Sequence, residues 1–174
     1  MASGRLGLVQ VYTGDGKGKT TAALGLAVRA AGHGLRVGIL QFMKGKDDCG
    51  EHLFAKRFRT FEMLQPNRES YFGQPSQGRK AAACEALALV REMLEEDRHD
   101  VLILDEVLTA VWQELISARD VLELIRSKPE DMELVLTGRG APPEIVEAAD
   151  LVTEMTLVKH PFEHGIAARR GIEY

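Results

Sequence analysis

The chain has 174 residues, a net charge of −4 at pH 7, 45% hydrophobic residues and 28% charged residues. This composition is typical of a soluble globular protein, and the length predicts one domain over residues 1–174. The acidic balance argues against a nucleic-acid partner, and no apolar run approaches the roughly 20 residues of a membrane span.

The cellular compartment is predicted from the N-terminus and the cysteines. Met1 to Arg5 lack the apolar stretch of a secretory signal peptide. Cys49 and Cys84 are too few for a disulfide framework or a zinc knuckle, so we expect free thiols in a reducing environment. Together these features predict a cytoplasmic protein.

The first predicted elements are a strand, a glycine-rich turn and a helix. An apolar run from Leu6 to Val11 leads into the segment YTGDGKGKTT, and a helical pattern follows from Ala22 to Ala31. This order is typical of a loop that binds nucleotide phosphates, because glycines let backbone N–H groups approach them. The helix dipole and Lys19 would add positive charge, and the Thr20 hydroxyl could reach Mg²⁺. The alternative is a surface turn that caps an ordinary helix.

The loop departs at one position from the usual phosphate-loop spacing. That spacing places a glycine five residues before Gly18, where this chain has Thr13, and the first glycine is Gly14. The predicted phosphate-binding residues are Gly14, Asp15, Gly16, Lys17, Gly18, Lys19, Thr20 and Thr21.

Strands and helices alternate through the rest of the chain. Apolar runs predict strands at residues 36–42, 59–64, 101–104, 133–137 and 151–157. Helices are predicted from about residue 78 to 96, from Ser117 with a capping box, and from Pro142. The polar stretch from Gln65 to Gly78 predicts a functional loop. The alternation predicts an α/β, P-loop NTPase-like (RecA-like) three-layer sandwich built on a parallel sheet.

Ligands of such sheets bind at the carboxyl ends of the strands, where three segments should converge. Asp105 and Glu106 follow a buried strand and suit a Mg²⁺ site beside phosphate, or else they simply cap the next helix. Arg139 can neutralise phosphate charge, or it is an exposed loop arginine. Arg29, about three turns into the first helix, fits a salt bridge as well as a phosphate contact.

The sequence shows neither a Cys/His cluster with metal-ligand spacing nor an evident catalytic base or phosphate acceptor. Three classes of function remain. They are a transferase that uses a part of ATP other than its terminal phosphate, a small-molecule kinase, and a nucleotide-binding regulatory module without catalysis. A transferase that releases triphosphate is distinguished from a kinase by its product, because a kinase releases ADP.

Six further segments follow the phosphate loop in a fixed order. They are RAAGHG at 29–34, QFMKG at 41–45, LDE at 104–106, TGRG at 137–140, VKHPF at 158–162 and GIEY at 171–174. With the short loop that has Thr13 in place of its first glycine, these blocks span residue 9 to the C-terminus. In that order they resemble the bacterial family of ATP:corrinoid adenosyltransferases.

The resemblance implies a reaction and a set of site residues. The 5′-deoxyadenosyl group of ATP would move to Co(I) of cobalamin or a corrinoid precursor, with triphosphate as the leaving group. Mg²⁺ or Mn²⁺ would be held by Thr20 and the acidic pair, Glu106 being favoured over Asp105. Arg29 and Arg139 would contact ATP. A homodimer and a flavodoxin-type or flavin reductant are also expected.

Further expectations concern the corrinoid side of the site. In the family, loop aromatics displace the lower axial ligand of cobalt, and Tyr71 and Phe72 are the candidates here, unless they only pack the loop. The tail from Lys159 to Tyr174, including His160, suits a broad apolar macrocycle edged with amide arms. Asp15 stands where related sequences tend to have Asn.

Overall fold

The computed structural model describes residues 7–44, 49–66 and 76–174. Its strands are β1 (Val9–Thr13), β2 (Val37–Gln41), β3 (Glu62–Leu64), β4 (Val101–Asp105), β5 (Glu133–Thr137) and β6 (Leu151–Glu154). They form one six-stranded sheet in the order β3-β2-β4-β5-β1-β6, and every neighbouring pair is parallel. The predicted α/β, P-loop NTPase-like fold is confirmed.

Helices cover both faces of the sheet. The helices are α1 (Lys19–Gly32), α2 (Gly50–Phe58), α3 (Ser76–Glu96), α4 (Val107–Trp112), α5 (Ala118–Ser127) and α6 (Pro143–Ala148). One core cluster packs α1 and α2 against the sheet, and a larger cluster packs α3, α4, α5 and α6 against the other face. This is the three-layer arrangement expected when helices connect parallel strands.

Strand β4 shows how the sequence builds the two cores. All five of its residues are buried. Val101 and Ile103 pack toward the α1 side, whereas Leu102 and Leu104 pack toward the α3 side, because successive side chains of a strand point to opposite faces. Fully burying each such side chain contributes roughly 1.5–3 kcal/mol. The strand is therefore a rigid support for the residues at its carboxyl end.

Some element boundaries differ from the sequence predictions. Helices α2 and α4 were missed, because α2 buries only His52 and Ala55 and α4 has only six residues. The last strand was predicted to reach Leu157 but ends at Glu154. Beyond it the chain crosses the phosphate loop, where the Met155 carbonyl accepts a hydrogen bond from the Gly16 N–H instead of continuing the sheet. The capping box at Ser117 is confirmed.

A helix that crosses a bilayer needs roughly 20 consecutive, mostly apolar residues, and this can be compared with the helices of the described ranges. None of them is both long and apolar enough to cross a bilayer.

Candidate active site

A cavity of about 610 Å³ lies at the carboxyl edge of the sheet. Its wall combines the phosphate loop, one side of α1, the start of α2, the ends of two central strands and the C-terminal tail. The lining residues are Asp15, Gly16, Lys17, Gly18, Lys19, Thr20, Thr21, Leu24, Val28, Lys44, Gly50, Glu51, Phe54, Phe61, Glu106, Arg139, His160, Gly171, Ile172, Glu173 and Tyr174. The predicted convergence of the phosphate loop, Glu106 and Arg139 is therefore observed.

Close packing against the segment after β6 explains two glycines of the phosphate loop. A Cβ atom on Gly14 would lie 2.5 Å from the Met155 carbonyl oxygen, and one on Gly16 would lie 2.6 Å from it. The Gly16 N–H donates a 2.6 Å hydrogen bond to that same oxygen. These glycines are thus needed by the protein's own packing, and the Gly16 N–H points to Met155 rather than to a ligand.

Lys19 is almost fully buried, with 6% exposure, at the start of α1. Its ammonium donates hydrogen bonds to the carbonyl oxygens of Gly14 at 2.7 Å and Gly16 at 2.8 Å. Burial lowers the pKa of Lys19, while the nearby carboxylate of Glu106 acts in the opposite direction. An ammonium group has three donors, so these two bonds orient it and leave one for a ligand in the cavity.

Asp105 is a buried hub, 1% exposed, that connects the phosphate loop to two strands. Its Oδ1 accepts hydrogen bonds from the hydroxyls of Thr20 at 2.8 Å and Thr137 at 2.7 Å. Its Oδ2 accepts a bond of 3.0 Å from the Gln41 side-chain amide. The bonds from Thr137 and Gln41 fix the Asp105 carboxylate, which in turn holds the Thr20 hydroxyl at a defined position beside the cavity.

Glu106 has a left-handed backbone conformation, with φ of 63°, which is uncommon outside glycine. Its N–H donates to the Thr137 hydroxyl at 3.0 Å, and its carboxylate accepts a hydrogen bond from the Thr109 hydroxyl. Burial raises the pKa of Glu106, and the neighbouring Asp105 carboxylate raises it further. Glu106 lines the cavity, so its carboxylate is presented to a ligand.

Thr109 connects the acidic end of β4 to the loop after β5. Besides its bond to Glu106, its hydroxyl accepts a 3.0 Å hydrogen bond from the Arg139 N–H. A Cβ atom on Gly138 would lie 2.4 Å from the Thr109 backbone nitrogen, so glycine is required for this close approach. The contact places Arg139 and Glu106 on the same cavity wall. Sequence reasoning did not identify Thr109.

Lys44 and Glu51 form a second charged group that the sequence reasoning also missed. The Lys44 ammonium lies 2.6 Å from Glu51 Oε1 and 3.8 Å from Asp105 Oδ2. Burial lowers the pKa of Lys44, but the carboxylates of Asp105 and Glu51 outweigh it and the net shift is upward. The signal was available, because Lys44 lies three positions after the end of β2, in the QFMKG block.

Of the remaining predicted site residues, some line the cavity and others do not. Arg29 is exposed on α1 and is absent from the lining formed by the described residues. Tyr71 and Phe72 lie outside the described ranges. His160 does line the cavity, and its Nδ1 accepts a hydrogen bond from the Phe162 N–H at the start of a short 3-10 helix (Pro161–His164).

The C-terminal tail reaches the phosphate loop. The Lys17 ammonium lies 2.9 Å from the Glu173 carboxylate, which also pairs with Arg169 at 3.1 Å. Hydrogen bonds from these two cations, chiefly Arg169, lower the pKa of Glu173 to about 2. The GIEY block thus forms one edge of the cavity.

The parallel sheet, the glycine-rich loop before α1 and the acidic end of β4 define a P-loop type of α/β protein. The family model for ATP:corrinoid adenosyltransferase BtuR/CobO/CobP matches residues 5–174 of the chain. The chain therefore belongs to this family, as its sequence blocks predicted.

Individual relatives agree with the family match. A corrinoid adenosyltransferase of Pseudomonas aeruginosa is 38% identical, over 97% of this chain and 84% of its own length. The corrinoid adenosyltransferase of Escherichia coli K12 is 35% identical, and corrinoid adenosyltransferase CobA of Salmonella typhimurium is 37% identical. Each of these two matches covers 97% of this chain and 86% of the relative.

Proposed function

We propose that this ATP:corrinoid adenosyltransferase holds the triphosphate of ATP in the cavity at the carboxyl edge of the sheet. The observation that carries the proposal is the Thr20–Asp105 hydrogen bond, which lies beside the buried ammonium of Lys19. It joins the phosphate loop to the carboxylate at the end of β4, the pairing that positions phosphate and a cation in P-loop proteins. The 5′-deoxyadenosyl group is transferred to Co(I) of the corrinoid.

The reaction explains why no catalytic base stands out in the sequence. Co(I) in a corrin is a strong nucleophile, so a cobalt–carbon bond forms at C5′ without removal of a proton. The C5′–oxygen bond breaks and its electron pair leaves with triphosphate. The protein therefore needs to align C5′ with cobalt and to stabilise the charge that develops on the leaving group. In our proposal Lys19 and Arg139 do the latter.

Oxygen donors near the phosphate loop fit Mg²⁺ or Mn²⁺. Over the described ranges there is no group of three or more His, Cys, Asp or Glu side chains able to hold a metal. A hard cation bound through one or two carboxylates, a hydroxyl and substrate phosphates needs no such group. We assign Glu106 and Thr20 as the direct ligands, and Asp105 as the group that orients Thr20, because its oxygens already accept three hydrogen bonds. The cation would neutralise triphosphate charge.

Other parts of the proposal rest on the family resemblance. They are association into a homodimer, reduction by a flavodoxin-type protein or flavin, a cytoplasmic location, and displacement of the lower cobalt ligand by Tyr71 or Phe72. We also keep Asp15, Lys17 and Thr21 as ATP-side residues and His160 as a residue of the corrinoid side. All four line the cavity. Arg29 remains a proposed ATP contact only on the resemblance.

An anaerobic assay tests the proposed function. The full chain is mixed with Mg²⁺, ATP and chemically reduced cobalamin, and loss of the Co(I) absorption is followed while the phosphate product is identified. We expect adenosylcobalamin and triphosphate in equal amounts. Release of ADP would instead indicate a kinase, and binding of ATP without any product would indicate a regulatory module.

A further inference from the structure

We propose that Lys44 is a phosphate-binding residue of the adenosyltransferase, which contacts the triphosphate from the side of the cavity opposite Lys19. The inference rests on the proposed placement of triphosphate in this cavity. Lys44 lies three positions after the end of β2, and it lines the cavity together with Glu51 of α2. Neither residue was among those predicted from the sequence.

The two oxygens of the Asp105 carboxylate relate the position of Lys44 to that of the phosphate loop. The Thr20 hydroxyl binds one oxygen of the Asp105 carboxylate, while the Lys44 ammonium lies 3.8 Å from the other oxygen. Lys44 thus faces the same carboxylate that orients the phosphate loop, but from the β2 side. A cation there and the Lys19 ammonium at the loop flank the region where we place the phosphates.

Glu51 orients the Lys44 ammonium but does not occupy all of its hydrogen-bond donors. The contact between them is 2.6 Å, and the Glu51 carboxylate also accepts a bond of 3.3 Å from the Gln41 amide. Gln41 is itself held by Asp105 and by the buried ring of His52. The Lys44 side chain retains 28% exposure whereas that of Glu51 retains 12%, so the lysine is the more accessible member of the pair.

A triphosphate bound in this cavity needs cations around it. Asp105, Glu106 and Glu51 place three carboxylates close to the cavity, and the departing triphosphate gains a further negative charge when the C5′–oxygen bond breaks. A preorganised cation near that charge stabilises the transition state more than the ground state. Lys44 supplies such a cation, with two ammonium donors beyond the one directed at Glu51.

The test uses inorganic tripolyphosphate with Mg²⁺, titrated calorimetrically into the full chain. Lys44→Met should weaken its binding about tenfold or more, the loss expected for a charge-assisted hydrogen bond, and should lower kcat/KM for ATP at least as much. Lys80→Met, which removes an exposed lysine of α3, should change neither value. Parent-like tripolyphosphate binding by Lys44→Met would overturn the proposal and leave Lys44 a structural partner of Glu51.

Two further variants separate the possible failures. Lys44→Met deprives Glu51 of its cation, so a variant that does not fold is replaced by Lys44→Met/Glu51→Gln, in which both charges are removed. The same loss of binding is expected there, and parent-like binding by that double variant contradicts the proposal. If Lys19→Ala also binds tripolyphosphate normally, the placement of triphosphate in the cavity is wrong. If only Lys19→Ala loses binding, the placement stands and Lys44 has no role in it.

Discussion

Thr20 donates a 2.8 Å hydrogen bond to Asp105, a residue 85 positions further along the chain. Thr20 is the second residue of α1 and Asp105 is the last residue of β4. The bond fastens the phosphate loop to the centre of the sheet, and the same carboxylate oxygen also accepts from Thr137 at the end of β5. The phosphate-loop side of the cavity is therefore supported by a helix and two strands rather than by loops alone.

We expect Lys19→Ala or Thr20→Ala to lower the adenosylation rate about 10²–10³-fold. Each removes a group that we assign to the triphosphate or to the cation bound to it. The measurement is the anaerobic Co(I) assay at saturating ATP, with thermal unfolding as a check on the fold. Lys80→Ala, an exposed substitution on α3, serves as the control. Near-normal turnover in either phosphate-loop variant would contradict the assignment of this loop.

Glu106→Gln should raise the Mg²⁺ concentration needed for half-maximal activity more than Asp105→Asn does. Glu106 lines the cavity, whereas the Asp105 oxygens already accept three hydrogen bonds from the protein. Asp105→Asn should instead destabilise the fold by about 1–3 kcal/mol, because the amide leaves a buried donor unsatisfied. Parallel Mg²⁺ titrations and denaturant unfolding separate the two effects. A higher Mg²⁺ requirement in the Asp105 variant alone would reverse the two roles.

The affinity for Mg²⁺ should fall as the pH is lowered, beginning above pH 4.5. Burial raises the pKa of Glu106 above its ordinary value of 4.5, so this carboxyl takes up a proton at a higher pH than a free glutamate does. The protonated carboxyl has lost the charge that attracts a cation. The measurement is Mg²⁺ affinity between pH 4.5 and 8 in the presence of ATP. Glu106→Gln should flatten this dependence, and an unchanged slope would exclude Glu106 as its source.

Removal of the tail after Val158 should weaken corrinoid binding while ATP binding is retained. The tail exposes the apolar side chains of Phe162 and Ile172, of which Ile172 lines the cavity, whereas the groups assigned to triphosphate belong to other elements. The two affinities are measured separately by titration. Glu173→Gln is the matched point variant, since it weakens the contact with Lys17 and leaves both the phosphate loop and the length of the tail unchanged. Equal loss of both ligands on truncation would mean that the tail stabilises the whole fold.

Phe72→Ala should bind cob(II)alamin and ATP yet fail to produce a four-coordinate cobalt. A buried aromatic ring, worth roughly 1.5–3 kcal/mol, would exclude water and the lower ligand from that face of the corrin. The variant should be slow with a weak reductant and nearly normal with chemically prepared Co(I). Electron paramagnetic resonance of the complex with ATP is the direct measurement. An undiminished four-coordinate signal in both Tyr71→Ala and Phe72→Ala would show that neither ring is involved.

Local patterns in the sequence were sufficient for all six strands, for the helices other than α2 and α4, and for several residues of the cavity. The apolar run that became β4 and the glycine-rich loop before α1 are continuous signals, so Lys19, Thr20 and Glu106 could be assigned to the carboxyl edge of a parallel sheet. Arg139 follows β5 for the same reason. The family blocks added the reaction, which local physical chemistry alone left open among three classes.

Only the tertiary structure determined which distant side chains meet. The Lys44–Glu51 pair, the Thr109 contact that joins Glu106 to Arg139, and the Lys17–Glu173 contact each join segments whose separate patterns gave no sign of their partner. The physical reason is that hydrophobic periodicity in the sequence indicates which face of a single helix or strand is buried. Which elements contact one another depends instead on the order of the strands in the sheet. Here β2, β4 and β5 lie side by side, so Lys44, Glu106 and Arg139 come after the ends of three adjacent strands and line one cavity.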